Sequence, residues 1–357
     1  MAVVLFLSAL VTAFGILGLL GYRLLPLLSK RSILAFSPNS LRIREVVIAI
    51  LAMMLKSMFY SITRMLGPTP VGLHLRSPLV ISAEDIIRFH SAVGHREGKL
   101  SHLKHGQLVL FLSAMTEPGM LLLLASPWCP INPLGAVNVR NTFELICPEL
   151  CDLEKLTNMD SMYLDAVMHA EPTRVKRGIE WALEITISAP SDRNNGMYQT
   201  IFRQVFTMLE FKKTSGSLIS KGSDEIKHDA STSGSTRTRT QISLSKDDPL
   251  KWAMLCKDYN FIHLSGLAAK LFGLPGKLAH GNHAAAKALQ SLPDAGNRAL
   301  PNNIPLQMRV DFKKPMVVPG IFEVCIKESP STGIGFEILQ KGKVHAIGAY
   351  GPLEPDR

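Results

Sequence analysis

The sequence predicts an α+β fold for most of its 357 residues, and three patterns support this prediction. In the C-terminal half, helical segments come first and four strands follow, the order typical of an antiparallel sheet wrapped around a central helix. In the N-terminal half, residues 179–187 alternate apolar with polar side chains, the two-residue period of a half-buried strand. An uncharged run near the N-terminus adds a transmembrane helix in front of this body.

The composition narrows the class of protein. Charged residues make up 19% of the chain, with 26 Gly and 22 Pro, proportions that exclude collagen-like, coiled-coil and globally disordered chains. Lys and Arg number 39 against 29 Asp and Glu, and 46% of the residues are hydrophobic. The net charge of +10 implies an anionic partner. Aromatic and basic residues do not interleave, so we expect no nucleic acid partner. The five cysteines lack the spacing of a metal or disulfide framework, and reduced thiols are expected.

Residues 2–22 contain no charged side chain. At about 1.5 Å per residue, this segment makes roughly 31 Å of helix, enough to cross the hydrocarbon core of a bilayer. Basic residues follow it, which predicts a single-pass protein whose body faces the cytosol. The membrane is left open between the endoplasmic reticulum, the mitochondrion and a bacterial inner membrane. A buried soluble helix and a cleaved signal peptide are the alternatives.

A second apolar segment, residues 46–66, is interrupted by Lys56 and Arg64. It fits a second span, an interfacial amphipathic helix, or a helix docked on the body. We therefore assign residues 1–74 to a membrane anchor region.

Residues 75–213 form the first half of the predicted body. A helix is expected over 115–127 and a strand over 135–146, and a hairpin follows with its turn at 190–196. Residues 214–240 are rich in Ser, Thr and Gly and bury too little apolar area to offset their ordering entropy, so they are predicted to be a flexible linker.

Residues 241–352 form the second half, with clearer punctuation by Gly and Pro. One short strand at 241–244 precedes the helices, and the four main strands end the chain. The helices are predicted near Pro249, over 264–272 and over 280–289, and the strands over 304–312, 321–327, 335–340 and 343–350.

The candidate site lies in the run Asp258-Tyr259-Asn260-Phe261-Ile262-His263 and in the helix start at Gly281. Asp258 and His263 on one irregular loop can hold a water between them as an acid–base pair. Asn260 can fix the loop through side-chain hydrogen bonds to the backbone. Gly281 offers a backbone N–H at a helix start for a developing oxyanion. The spacing also fits an Asn/Asp turn before a helix, with His263 as a buried structural histidine.

The run DYNFIHLSGLAAKLFGLPGKLAHG resembles the signature of the MaoC-like dehydratases, the R-specific enoyl-CoA hydratase family, and VDFKKPMVVPG continues the resemblance. It covers residues 240–350 well. Upstream, PINPLGAVNVRNTFEL is similar to the non-catalytic first repeat of members with a double hot-dog fold, two antiparallel sheets each around a central helix. The resemblance thus implies a non-catalytic repeat at 75–213 and a catalytic repeat at 241–352.

The resemblance implies a hydratase or dehydratase of acyl thioesters, carried by coenzyme A or an acyl carrier, that needs no cofactor. By motif position, Asp258 and His263 are the catalytic pair, Asn260 anchors the loop and Gly281 polarises the thioester carbonyl. A catalytically silent thioester-binding or scaffold protein is the main alternative, and a thioesterase is a weaker one. The sequence leaves a homodimer open.

Two departures from the family pattern are Phe261, where Pro is usual, and Asn282, where Met is common. Phe261 is expected to reshape the pocket mouth, and Lys313 with Lys314 are candidate contacts for the phosphates of coenzyme A. His280 and His283 lack a carboxylate or Cys partner at a suitable spacing, so no metal site is predicted.

Overall fold

The computed structural model describes residues 31–59, 72–94, 105–190, 197–212, 236–291, 304–329 and 333–354, with residue 103 and a few residues before 30. Nearly all of the predicted span 2–22 lies outside the described residues. So do the predicted hairpin turn and residues 214–235 of the predicted linker.

One sheet runs through the protein, in the order β1-β2-β4-β6-β7-β3-β9-β12-β11-β10-β8, with β5 paired to β6. Every neighbouring pair is antiparallel except β1 and β2. The strands are β1 (Arg31–Ile33), β2 (His74–Leu79), β3 (Ala136–Leu145), β4 (Met162–Met168), β5 (Thr173–Val175), β6 (Gly178–Pro190), β7 (Tyr198–Phe211), β8 (Thr236–Leu244), β9 (Leu306–Phe312), β10 (Gly320–Ser329), β11 (Gly333–Gln340) and β12 (Lys343–Pro352).

Each half of the sheet encloses one helix. In the first half, helix α3 (His105–Ala125) packs on β3, β4, β6 and β7. In the second half, helix α8 (Gly281–Gln290) packs on β8, β11 and β12. The two helices also contact each other, which confirms the predicted α+β architecture of sheets around central helices. The helices are α1 (Ile43–Met58), α2 (Ala83–Val93), α3 (His105–Ala125), α4 (Leu153–Asn158), α5 (Asp248–Cys256), α6 (Phe261–Leu264), α7 (Gly266–Leu271) and α8 (Gly281–Gln290).

Helix α3 begins ten residues earlier than the sequence suggests. Within the part of the chain that the structure describes, its residues Gly106–Ala125 are the one segment long and apolar enough to cross a membrane. However, 89% of the most apolar window is buried inside the protein. The apolar character of α3 is therefore that of a core helix surrounded on every side.

The segment from β1 to α1 belongs to the body, although the sequence analysis places it in the anchor region. Strand β1 extends the sheet by pairing with β2, and α1 packs on α3. The Lys56 ammonium donates hydrogen bonds to the carbonyls of Leu124 (2.8 Å) and Ser126 (3.0 Å). A cation here satisfies carbonyls at the C-terminal end of α3. The described part of residues 46–66 thus lies in a helix docked on the body, as one of the three alternatives predicts.

Several boundaries differ from the predicted ones. Strand β8 begins at Thr236, inside the predicted linker, because it pairs along its whole length with β10. The helix predicted over 264–272 is two short helices, α6 and α7, with Ser265 capping the second. Helix α2, β2 and β4 were not predicted.

The pairing of β11 with β12 offers a test of the packing. Gly348 lies opposite Phe336, and a Cβ on Gly348 would overlap with the buried Phe336 ring. We expect Gly348→Ala to lower the free energy of unfolding by about 1–3 kcal/mol, the usual cost of overpacking. Chemical denaturation measures this loss.

Gly335→Ala is the matched control, because a Cβ there would meet no atom closer than 3.9 Å. It should be neutral or stabilising, since the unfolded chain loses conformational freedom. Equal effects of the two substitutions would contradict the described register.

Candidate functional site

The loop after α5 is shaped by its own polar side chains. Lys257 ends the helix in the left-handed region, at φ 61°, and turns the chain away. The Asp258 Oδ1 atom accepts a hydrogen bond from the backbone N–H of Asn260 (3.1 Å). The side-chain Oδ1 atom of Asn260 accepts one from the backbone N–H of Ile262 (3.3 Å). Asn260 therefore caps α6, the helix that carries His263.

Asp258 and His263 face each other. The Asp258 Oδ2 atom lies 3.7 Å from the His263 Nε2 atom, and each side chain is 13% exposed. The His263 Nδ1 atom lies 3.0 Å from the Leu278 carbonyl, which can only accept, so Nδ1 carries the proton. In the neutral form of such a ring, the Nε2 atom has a lone pair. Two acceptors at this separation suit one shared water better than a direct hydrogen bond.

His280 completes the group. Its ring stacks on that of His263, with centroids 3.8 Å apart, and its Nε2 atom donates to the Asp258 carbonyl at 3.0 Å. Burial, and then the neighbouring His263, holds the pKa of His280 well below its usual value, so this ring is neutral. His280 thus fixes the backbone and the ring plane of the acid–base pair. Sequence spacing does not reveal this contact.

Asp258, His263 and His280 also have the ligand types of a transition-metal site. One ligand atom from each lies within 4.8 Å of the others. The fold thus brings His280 close to the carboxylate of Asp258, a partner that the sequence spacing did not indicate. However, the Nε2 atom of His280 carries the proton that it donates to the Asp258 carbonyl, so this atom has no lone pair for a metal ion. The ligand atoms that remain are those of Asp258 and His263. The hydrogen bonding favours an acid–base pair over a metal centre.

Gly281 is the first residue of α8, where backbone N–H groups have no acceptor within the helix. A Cβ at this position would overlap with the Phe312 ring at the end of β9. Glycine is therefore needed for helix and strand to approach, in addition to any access by a substrate.

The three residues predicted to bind substrate lie around this group. Phe261 is half-buried in the first turn of α6 and packs against the core. Lys313 and Lys314 are exposed and directly follow Phe312, the residue that contacts Gly281.

Asn282 and His283 are structural parts of α8. Asn282 is buried and links the halves, because its Nδ2 donates to the Ser113 hydroxyl (2.9 Å) and its Oδ1 accepts from Asn141 (2.8 Å). His283 is fully buried, stacks on Trp252 and lies 2.8 Å from the Ala92 carbonyl. Asn282 therefore links the two halves, a role that the sequence does not predict.

The sequence predicts Glu117 to lie on a helix but does not indicate that it belongs to the site. It comes from α3 in the first half and is buried close to Asp258, the Cys256 thiol and the Trp252 indole. Burial, and then the Asp258 charge, raises its pKa to about 8. A protonated Glu117 therefore lies beneath the acid–base pair near neutral pH. An acidic residue in an otherwise apolar helix is the signal that could have identified it.

Comparison with known proteins is consistent with this geometry. Residues 228–324 match the family model described as "MaoC like domain", which confirms the resemblance for this part of the chain. A search of curated proteins finds no match. Among solved structures, HtdX of Mycobacterium tuberculosis is similar with a TM-score of 0.57 and 19% identity, over 79% of this chain and 100% of that one. A MaoC-like dehydratase from Phytophthora capsici has a TM-score of 0.51 and 13% identity, over 79% and 96%.

A third similar structure, peroxisomal multifunctional enzyme type 2 from Drosophila melanogaster, has a TM-score of 0.50 and 15% identity, over 78% of this chain and 48% of that one. At these identities the likenesses concern the fold. Together with the sheets around α3 and α8, they confirm the α+β hot-dog fold.

The buried Glu117 carboxyl predicts a dependence of stability on pH. Its pKa is raised from about 4.3 in the unfolded chain, so its contribution is full below that pH and is lost as the pH rises to about 8. Glu117→Gln keeps the shape and removes the loss. We expect its melting temperature to exceed the wild-type value by several degrees at pH 8 and by less at pH 5.

Glu184→Gln is a control of opposite sign. Partial burial raises the pKa of Glu184, but hydrogen bonds from Arg203 and His169 lower it overall. This variant should be less stable than the wild type at pH 8, with a difference that shrinks toward acid pH. A pH-independent effect of Glu117→Gln would show that its carboxyl does not take up a proton on folding.

Proposed function

We propose that this chain, whose residues 228–324 match the family model of the MaoC-like domain, interconverts trans-2-enoyl thioesters and (R)-3-hydroxyacyl thioesters by adding or removing water. The observation that carries the proposal is the convergence of Asp258 and His263. Their acceptor atoms lie 3.7 Å apart on one capped loop, beside the helix start at Gly281.

The acid–base pair accounts for the movement of protons. A water that donates one hydrogen to Asp258 and one to His263 directs its oxygen lone pair outward. As that oxygen bonds to Cβ of the enoyl group, one of the pair takes a proton from the water, and a proton from the pair goes to Cα. The net addition is H and OH, and the pair returns to its starting protonation. Dehydration is the same path in reverse.

The enolate that forms between these steps needs a donor at the thioester oxygen. The N-terminus of α8 supplies one in the Gly281 amide, and the helix dipole favours a negative charge there. The donor is preorganised, because the His280 ring on the preceding residue is tied to the Asp258 carbonyl. The same contact holds donor and acid–base pair in one unit.

The remainder of the substrate is assigned by charge and polarity. Lys313 and Lys314 are exposed cations next to Phe312 and suit the phosphates of coenzyme A or of a carrier-linked pantetheine. Phe261 lies in the loop where the family usually has Pro and offers an apolar surface to the acyl chain. Neither assignment requires a cofactor.

The chemical proposal is tested on the full chain in detergent with crotonyl-CoA, whose enone absorbance falls on hydration. Asp258→Asn keeps the shape of the side chain and removes the base, and His263→Ala removes its partner. Each should lower turnover by about two to four orders of magnitude, the usual range for lost acid–base catalysis. Binding of the thioester should change little, because the acyl chain and the nucleotide supply most contacts.

His169→Ala is the control, because this histidine is half-exposed and pairs with Glu184 on the outer surface of the sheet. It should retain wild-type turnover. Full turnover in Asp258→Asn would refute the assignment of this loop. A wild type that binds crotonyl-CoA but never hydrates it would favour the silent thioester-binding protein, and release of free CoA thiol would favour a thioesterase.

A further inference from the structure

Helix α1 has two apolar faces. Val46, Ala49, Ile50 and Met53 are buried in the packing against α3. A second row, Ile43, Val47, Leu51, Leu55 and Met58, is between 39% and 74% exposed; we call this row the apolar strip. Its members recur about every four residues, so they follow one side of the helix for its whole length.

The exposed charges of α1 and of its N-terminal cap have one sign. Every exposed residue from 42 to 59 is either apolar or arginine, and the arginines are Arg42 and Arg44 at the N-terminal end. The acidic side chain of this helix, Glu45, is buried and pairs with Arg23. Surface helices of soluble proteins normally have a polar outer face, so an apolar strip ending in arginines needs another explanation.

The position of the strip in the chain suggests its partner. Arg23 directly follows the uncharged residues 2–22, and it contacts the first turn of α1 through Glu45. Its guanidinium also lies over the Phe36 ring, 4.7 Å from the centroid. Arg23, the residue after the uncharged segment, is therefore held at the N-terminal end of the strip, where Arg42 and Arg44 also lie.

We propose that the apolar strip lies on a phospholipid bilayer, with α1 in the plane of the membrane and Arg42 and Arg44 among anionic headgroups. A helix that places an apolar face at the acyl boundary and cations at the headgroups has the composition of an interfacial helix. This contact is independent of the chemistry at Asp258. It determines which side of the protein faces the lipid.

A second copy of the chain fits the strip less well. In an antiparallel contact between two α1 helices, Arg42 and Arg44 of one copy would lie near Met58 of the other. No exposed acidic residue of α1 is available to pair with them. Burying these arginines unpaired would be costly. Lipid phosphates supply the missing negative charge.

Tryptophan quenching in vesicles tests the proposal on the full chain. Leu55→Trp places an indole in the strip, and Ile321→Trp places one at a matched exposed position on β10. Both are reconstituted in phosphatidylcholine vesicles, with and without phosphatidylglycerol, and the wild-type emission is subtracted. We expect lipids brominated near the headgroup to quench Leu55→Trp at least about twofold more than Ile321→Trp, as direct acyl contact requires.

Three results would overturn the proposal. The first is equal quenching of the two variants. The second is stronger quenching of Leu55→Trp by bromine near the chain ends, which means that α1 crosses the membrane. The third is an unquenched Leu55→Trp in a chain that is dimeric in detergent, which means that a second copy covers the strip.

A charge-reversal pair tests the headgroup contact separately. In the Leu55→Trp chain, the double substitution Arg42→Glu with Arg44→Glu should abolish the additional quenching that phosphatidylglycerol produces. Arg174→Glu, at an exposed position on β5, should keep it. If the double variant is quenched as strongly as Leu55→Trp alone in anionic vesicles, the arginines do not bind headgroups.

Discussion

The pairing of β3 with β9 is the contact on which the rest of the protein depends, because it joins the two halves into one sheet. Arg140 lies opposite Asp311 in this pairing, and its Nε donates to the Asp311 carboxylate at 2.8 Å. Asp311 is almost fully buried and also accepts from Arg309. A shift in register would separate this carboxylate from Arg140 and leave Arg309, on its own strand, as its partner, so the Arg140–Asp311 pair favours the observed alignment of the halves.

That alignment gives each half a different share of the site. The second half holds the acid–base pair and the helix start, whereas the first half contributes Glu117 and the Ser113 hydroxyl that holds Asn282. Among the described residues, the first half reaches the candidate site through its contacts with α5 and α8. A chain with the same loop but a differently aligned first half would have another set of neighbours beneath Asp258.

Local patterns in the sequence predict part of the fold and part of the candidate site. Alternation predicted β6, because this strand has one face in the core and the other partly exposed. The capping preferences of Asn and Asp predicted the loop around Asn260. The contacts of His280 and Glu117 with Asp258 could not be predicted, because they arise only when α3, α5 and α8 pack together. The short β1, whose three residues pair with a distant β2, has too few residues for a periodic signal.

Helix α3 has a consequence for the synthesis of the chain. The ribosome completes this apolar helix before most of the strands that cover it, because β3, β4, β6 and β7 all follow α3 in the chain. Until they arrive, a largely apolar segment of some twenty residues is exposed, and an insertion apparatus that recognises hydrophobicity cannot distinguish it from a membrane segment. The nascent chain therefore presents two such segments, residues 2–22 and α3, and the finished fold buries α3 in its own core. Retention of α3 in the body depends on closure of the first sheet being faster than its capture by lipid.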